Sequence, residues 1–298
     1  MFILAHLSDP HLGPLPRPRT LELVSKRFLG YVNWRRGRMH SLAGPILGGL
    51  LDDLISNKPD HIAVTGDLMN IGLPGEIVAA RQWLETFGPP DVISVVPGNH
   101  DAYVPGSLKK ALAAWAPYLT GDGGSPAARV TFPYVRRRGP IAVIALSSAR
   151  ATGPFMATGH ADASNLVKLR EDLASAKREG LFRVVMIHHP PMVNATTWHK
   201  RLIGAARIRA VIRDVGAELV LHGHTHVDSF AELEGPDQPV PVVGVPAAST
   251  IPGGHRPAAR YNLFKISGGP GAWHCHMTER GYQGPGSKIE VIRERRIF

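Results

Sequence analysis

Apolar positions along the chain gather into short continuous runs that stop abruptly at clusters of Gly, Pro, Asp, Asn and His. Runs at 2–7, 61–65, 92–96, 182–187 and 217–221 are too short for helices and apolar on both faces, which predicts buried strands. Between them, apolar residues recur at helical spacing over 45–56, 76–87, 107–119 and 202–212, and over 161–180 with Leu166, Leu169 and Leu173 on one face. This β, α, β, α, β rhythm predicts an α/β sheet covered by helices. Further strands are expected at 129–135 and 141–147, with Arg136, Arg137 and Arg138 read as a solvated hairpin tip. Beyond residue 226, strands at 240–245, 261–266, 272–277 and 289–297 are expected to build a second sheet. The chain shows no internal repeat.

Each of the five buried runs ends in polar residues. Asp9 and His11 follow the first, Asp67 and Asn70 the second, and Asn99, His100 and Asp101 the third; His188 and His189, then His222, His224 and His226, follow the last two. Side chains beyond the carboxyl ends of strands converge on one crevice, so a single shared site is expected, carried by one domain over 1–298. In extended backbone alternate side chains share a face, so Asp9 and His11 can both address one ion.

Asp9, His11, Asp67, Asn99, His100, His188, His224 and His226 are the candidates for chemistry. Imidazole and carboxylate without thiolate suit zinc, iron or manganese. The inventory fits two metals better than one, and a pair about 3.5 to 4 Å apart sharing a carboxylate serves in-line displacement at phosphorus.

Composition narrows the setting. The formal net charge is +10, which favours anionic partners, and the hydrophobic and charged fractions, 44% and 19%, are those of a globular enzyme. One cysteine excludes an intrachain disulfide and favours a reducing compartment. No basic leader pattern precedes Asp9 and no apolar run is long enough to span a bilayer, so the location is expected to be cytoplasmic, peripheral at the inner membrane surface at most. An insertion at about 14–41 stands out, with seven basic side chains and one acidic, interleaved with Leu23, Phe28, Leu29, Tyr31, Val32 and Trp34. Its spacing over 21–34 predicts a basic amphipathic helix serving as lid, membrane-docking segment or packed helix.

Taken together, Asp9-x-His11, Gly66-Asp67-x-x-Asn70, Gly98-Asn99-His100-Asp101, His188 and Gly223-His224-Thr225-His226 resemble the calcineurin-like metallophosphoesterase superfamily. The resemblance covers the chain to about residue 250 and implies a four-layer αββα sandwich of two mixed sheets. It implies that Asp9, His11, Asp67 and His226 hold one metal, and that Asp67 bridges to a second held by Asn99, His188 and His224. It also implies that a hydroxide between the metals attacks phosphorus while His100 contacts the phosphate or protonates the leaving oxygen. Some members carry Asp where this chain has Asn70, so Asp101 is the substitute candidate for orienting His100. His189 and His222 are read as supporting or substrate-contacting groups, and His6, His40, His61 and His160 as ordinary histidines.

Within the superfamily the chain looks closest to bacterial cyclic-nucleotide phosphodiesterases and intracellular phospholipases C. The basic, aromatic insertion tilts the expectation toward glycerophospholipid head groups, with 3′,5′-cyclic nucleotides as the alternative. A nuclease or a non-enzymatic metal-binding scaffold are further alternatives, although no nucleic-acid module is evident.

Overall fold

The structure, a computed structural model, describes residues 1–38 and 44–298. In chain order the strands are β1 Phe2–Leu7, β2 His61–Val64, β3 Ile93–Val95, β4 Tyr134–Arg138, β5 Ile141–Ala145, β6 Gly159–His160 and β7 Phe182–Met186. They continue as β8 Leu202–Ile203, β9 Leu219–His222, β10 Ser229–Leu233, β11 Val240–Gly244, β12 Arg260–Ser267, β13 His274–Gly281 and β14 Glu290–Arg296. Two mixed six-stranded sheets result, in the orders β14-β13-β12-β1-β2-β3 and β10-β11-β9-β7-β5-β4.

Period-two alternation explains why the sheets stack. On β7, Phe182, Val184 and Met186 point into the apolar layer shared with the first sheet, while Val185 points to the opposite side, and Leu219, Leu221 and Val220 on β9 divide in the same way. The outward residues meet helices Ala163–Arg178, through Leu166, Leu169 and Leu173, and Ala205–Val215, through Ile208, Val211 and Ile212. Helices Gly44–Ser56 and Pro74–Phe87 cover the first sheet with Leu47, Leu50, Leu54, Ile77 and Leu84. The layers therefore run helix, sheet, sheet, helix.

The β-rich tail does not form a sheet of its own. β10 and β11 extend the second sheet beside β9, whereas β12 to β14 return to the first, with Phe2 opposite Ile266. β1 is buried and paired with β2 on one edge only, so its other row of backbone donors and acceptors requires a partner, and β12 supplies it.

Arg136 also departs from the sequence reading. It is 3% exposed and donates to the carbonyls of Pro90, Ile93, Pro117 and Thr120, tying the entry to β3 to the segment 117–120, while Arg137 and Arg138 pair with Glu179 and Asp122.

The insertion is broken up rather than continuously helical. A 3₁₀ turn, Thr20–Leu23, precedes an α-helix, Lys26–Asn33, whose first turn is capped by Ser25 Oγ accepting from Arg27 N–H at 3.2 Å, and a π-helical turn, Trp34–Arg38, follows. Residues 39–41 of the predicted segment, His40 among them, lie outside the described residues. A Cβ at Gly30 would overlap the Tyr103 hydroxyl and Ile71, so the helix backbone seats directly on them, and Arg27 locks it by donating to the carbonyls of Ile71 (3.2 Å) and Gly72.

Candidate metal centre

All five polar loops leave the carboxyl ends of strands that run parallel within their sheets, β1, β2 and β3 on one side and β7 and β9 on the other. Across the gap, Ser8 and Ala247 form an isolated parallel bridge, which brings the end of β1 against the loop after β11. The backbone turns sharply to aim the side chains inward. Among the described residues eight non-glycines have positive φ, and five of these are Asp9 (52°), His11 (39°), Asp67 (56°), His224 (67°) and His226 (58°). Each such left-handed residue costs about 1 to 3 kcal/mol and persists only where surrounding contacts hold it. Asp9 N–H to Gly66 O (3.0 Å), His11 N–H to Asp67 O (3.1 Å) and Leu12 N–H to Leu68 O (2.9 Å) stitch the first two loops together. A Cβ at Gly98 would overlap the Asp67 carboxylate, so only glycine lets the third loop approach this closely.

Asp9, His11, Asp67 and His226 form one buried cluster whose ligand atoms all lie within 4.8 Å of one another. His11 Nε2 is 3.2 Å from His226 Nε2, 3.8 Å from Asp9 Oδ1 and 3.9 Å from Asp67 Oδ2. His11 Nδ1 faces the Met69 carbonyl at 3.0 Å, and a carbonyl only accepts, so the proton sits on Nδ1 and the Nε2 lone pair points inward. Asp67 also opens to the other side, where its Oδ2 is 3.4 Å from His188 Nε2, itself 3.3 Å from Asn99 Oδ1. His188 donates from Nδ1 to Thr65 O at 2.6 Å, and His224 from Nε2 to Lys200 O at 3.0 Å, which leaves His224 Nδ1 as its ligand atom.

Electrostatics favour cations here. Asp9 Oδ1 lies 3.0 Å from His226 Nε2 without hydrogen-bond alignment and is buried with no hydrogen-bond partner. Burial pushes the Asp9 carboxyl up, but His226, His188 and His11 outweigh it and hold the group well below the usual carboxylate range. Burial lowers the His188 imidazole, yet the Asp67 carboxylate overrides it and raises the group to about 9. A proton or a cation is required between that imidazole and Asp67. His224 is held well below its ordinary range by burial and by His189 and His188, so it stands as a neutral imidazole, the form that binds metals. An orphaned carboxylate oxygen, inward lone pairs and a mixed nitrogen and oxygen donor set fit two transition-metal ions sharing Asp67.

The supporting residues differ in part from expectation. Asp101 does not orient His100: its Oδ2 accepts from Asp67 N–H (3.0 Å) and Gly98 N–H (2.8 Å), and its Oδ1 from Met69 N–H (3.0 Å), clamping the second and third loops. Burial and then the Asp67 charge push its carboxyl up to about 7. His100 instead bonds through Nδ1 to the carbonyl of Asn70, while its N–H donates to Asp67 Oδ1 at 2.7 Å. Asn70 uses Nδ2 on Leu12 O at 2.9 Å.

His189 lies near His188 and His224, but Ser148 Oγ engages its Nδ1 at 2.8 Å and Ala157 O its Nε2 at 3.2 Å, so both nitrogens are committed to the scaffold. His222 bonds Gly223 O and Ser229 Oγ, at 3.0 and 3.1 Å. His6 and His61 are core histidines bonded to Thr65 and Ser94, each lowered to about 3 by burial.

Two supporting groups escaped the sequence reading, and a third, Lys26, was read only as one of the basic side chains of the insertion. Glu76, 3% exposed, accepts from the N–H groups of Asn70, Ile71 and Leu73 and so fixes the loop that carries the Asn70 carbonyl. Its place two residues after Pro74 at the start of a helix was the available signal. Arg256 Nη1 reaches His226 Nδ1 at 2.6 Å. Lys26 of the insertion, lowered to about 8 by burial, lies 4.7 Å above the Tyr103 ring. A cavity of about 320 Å³ adjoins the centre, with Asn99 and His100 on one wall and Lys26, Leu29, Phe155 and Lys200 around the others.

A family model described as calcineurin-like phosphoesterase matches residues 3–228. A cAMP/cGMP dual-specificity phosphodiesterase of Mycobacterium tuberculosis is 29% identical over 243 residues, 78% of this chain and 64% of the relative. The glycerophosphodiester phosphodiesterase GpdQ of Enterobacter lignolyticus is 30% identical over 99 residues, 33% of this chain and 29% of that protein. The chain therefore spans less than two thirds of the length of either curated relative. Among solved structures, a dimetal phosphatase from Danio rerio aligns over 98% of both chains with a TM-score of 0.58 at 12% identity, a likeness of fold.

Proposed function

The chain belongs to the calcineurin-like phosphoesterase family, and on that premise we propose that it is a metal-dependent phosphodiesterase acting on glycerophospholipid head groups ahead of cyclic nucleotides. Asp9, His11, Asp67 and His226 would hold one cation of the manganese, iron or zinc type, and Asp67, Asn99, His188 and His224 a second. Two such cations neutralise charge on the phosphoryl oxygens and make a water nucleophilic near neutral pH.

The chain's own residues supply the rest. Asp67 would contribute a carboxylate to both cations, and its Oδ1 accepts the backbone N–H of His100. His100 is fixed by the Asn70 carbonyl on Nδ1, so Nε2 exchanges the proton with the leaving-group oxygen. Glu76 and Asp101 keep the loops bearing these atoms from moving apart.

One observation carries the substrate class: the cavity beside His100 is walled by the insertion, with Lys26 and Leu29 of helix Lys26–Asn33 facing it. Cationic side chains suit the anionic diester, and an apolar wall suits a diester that carries an apolar alcohol. The mycobacterial relative, matched over 78% of the chain, supports cyclic nucleotides as the second reading. Protein reconstituted with manganese, iron or zinc, assayed on phosphatidylglycerol, phosphatidylcholine, glycerophosphodiesters and cyclic AMP, decides between them. Release of diacylglycerol at a higher kcat/KM than cyclic AMP turnover is expected. Efficient cyclic AMP hydrolysis with no diacylglycerol from either lipid would move the assignment to cyclic nucleotides.

A further inference from the structure

Large apolar side chains stand in water on three separate elements that also wall the cavity. Phe28 of helix Lys26–Asn33 is 56% exposed, Phe155 is 78% exposed, and Trp198, beside the cavity-lining His199, is 66% exposed. Lys26, Leu29 and Asn33 of that helix line the cavity, and Phe28, 100° per residue further round, stands on the water-facing side of the same helix.

Phe155 is the most unusual of the three. Its φ is 62°, a left-handed conformation that an aromatic side chain rarely adopts. The turn that presents it is built, not loose. Thr152 Oγ1 donates to Met156 O at 2.6 Å, and the Lys26 ammonium closes both ends by donating to Thr152 O (3.3 Å), Thr152 Oγ1 (3.0 Å) and Met156 O (2.9 Å). One lysine therefore joins the insertion helix to the turn and holds a phenylalanine outward where no protein contact buries it. Backbone strain and exposure of this kind point to a binding surface.

The charge around this rim selects the partner. Arg35 and Arg36 follow the helix, Arg150 precedes the turn and Arg201 follows Trp198, all exposed, and Glu22 is the one acidic residue between 14 and 38. Exposed aromatic side chains with exposed arginines beside them on the same segments match an interface whose surface is negative and whose interior is apolar.

We propose that Phe28, Phe155 and Trp198 form a docking rim that seats the cavity mouth on an anionic lipid bilayer, with the Lys26 clasp holding Phe155 in position. This deepens the phosphodiesterase reading, and the test separates the two because vesicle binding is measured without turnover.

The experiment is co-sedimentation of the full chain with vesicles of equal parts phosphatidylglycerol and phosphatidylcholine, and with pure phosphatidylcholine vesicles. Binding to the anionic vesicles is expected, weaker on the neutral ones and weakened by salt. Phe155→Ser and Phe28→Ser should each lower the partition coefficient about tenfold, the scale of removing one phenylalanine from an apolar phase. Phe28→Ser should leave turnover of a small soluble diester unchanged. Wild-type protein that ignores anionic vesicles, or variants that bind as well as wild type, would overturn the proposal; the second outcome would leave the rim to a protein partner. Binding that persists in a protein hydrolysing no diester would overturn the catalytic reading alone.

Discussion

Asp67→Asn is expected to lower turnover by about 10³ or more, because one carboxylate serves both halves of the centre. Its Oδ2 lies 3.9 Å from His11 Nε2 and 3.4 Å from His188 Nε2, while Oδ1 accepts the His100 N–H at 2.7 Å. Asparagine keeps the volume and one acceptor, so the backbone bond to His100 can survive. It removes the negative charge that two cations would share and puts an N–H where one of them, or the His100 amide, needs an acceptor. Metal content should therefore fall together with kcat, whereas the fold should hold, since Asp101 still accepts from the residue 67 N–H at 3.0 Å. A variant that retains both metals and near-normal turnover would remove Asp67 from the bridging position.

His100→Ala should behave in the opposite way, keeping both metals and losing about 10² to 10⁴ in kcat. The imidazole stands edge-on to the His11 ring, 4.9 Å between centroids, and its Nδ1 is spent on the Asn70 carbonyl, so it is placed against the centre without being in the ligand clusters. The loss should be largest for alkyl leaving groups, which need a proton, and small for nitrophenol, which departs as an anion. Near-normal turnover of an alkyl diester with both metals bound would show that His100 does not transfer a proton. Loss of metal in the same variant would make it a structural residue.

The inner strands and the polar residues at their ends were legible because buried parallel strands leave continuous apolar runs and stop at the site itself. Asp9, His11, Asp67, Asn99, His188, His224 and His226 could be placed at one end of the fold for that reason. The partners of those strands were not legible. β12 pairs with β1 across some 260 intervening residues, and nothing in its alternation distinguishes the open edge of one sheet from that of the other. Charge also misled. Arg136 reads as solvated within a run of three arginines, but the structure turns it inward onto four carbonyls that only the folded chain brings together. Asp101 was mistaken for a partner of His100 because adjacency in sequence says nothing about direction, and the left-handed residues of the loops reverse side-chain direction repeatedly. The exposed Phe155 was invisible beforehand, since a phenylalanine in a Gly-Pro turn reads as buried until the turn is seen.

Seven side chains are proposed to hold two ions that share Asp67. Elemental analysis of the purified protein, followed by anomalous scattering from its crystals at the metal edge, tests it most directly. Two ions per chain are expected, one among Asp9, His11, Asp67 and His226 and the other among Asp67, Asn99, His188 and His224. A fully active protein with a single ion, or with none at these residues, would contradict it.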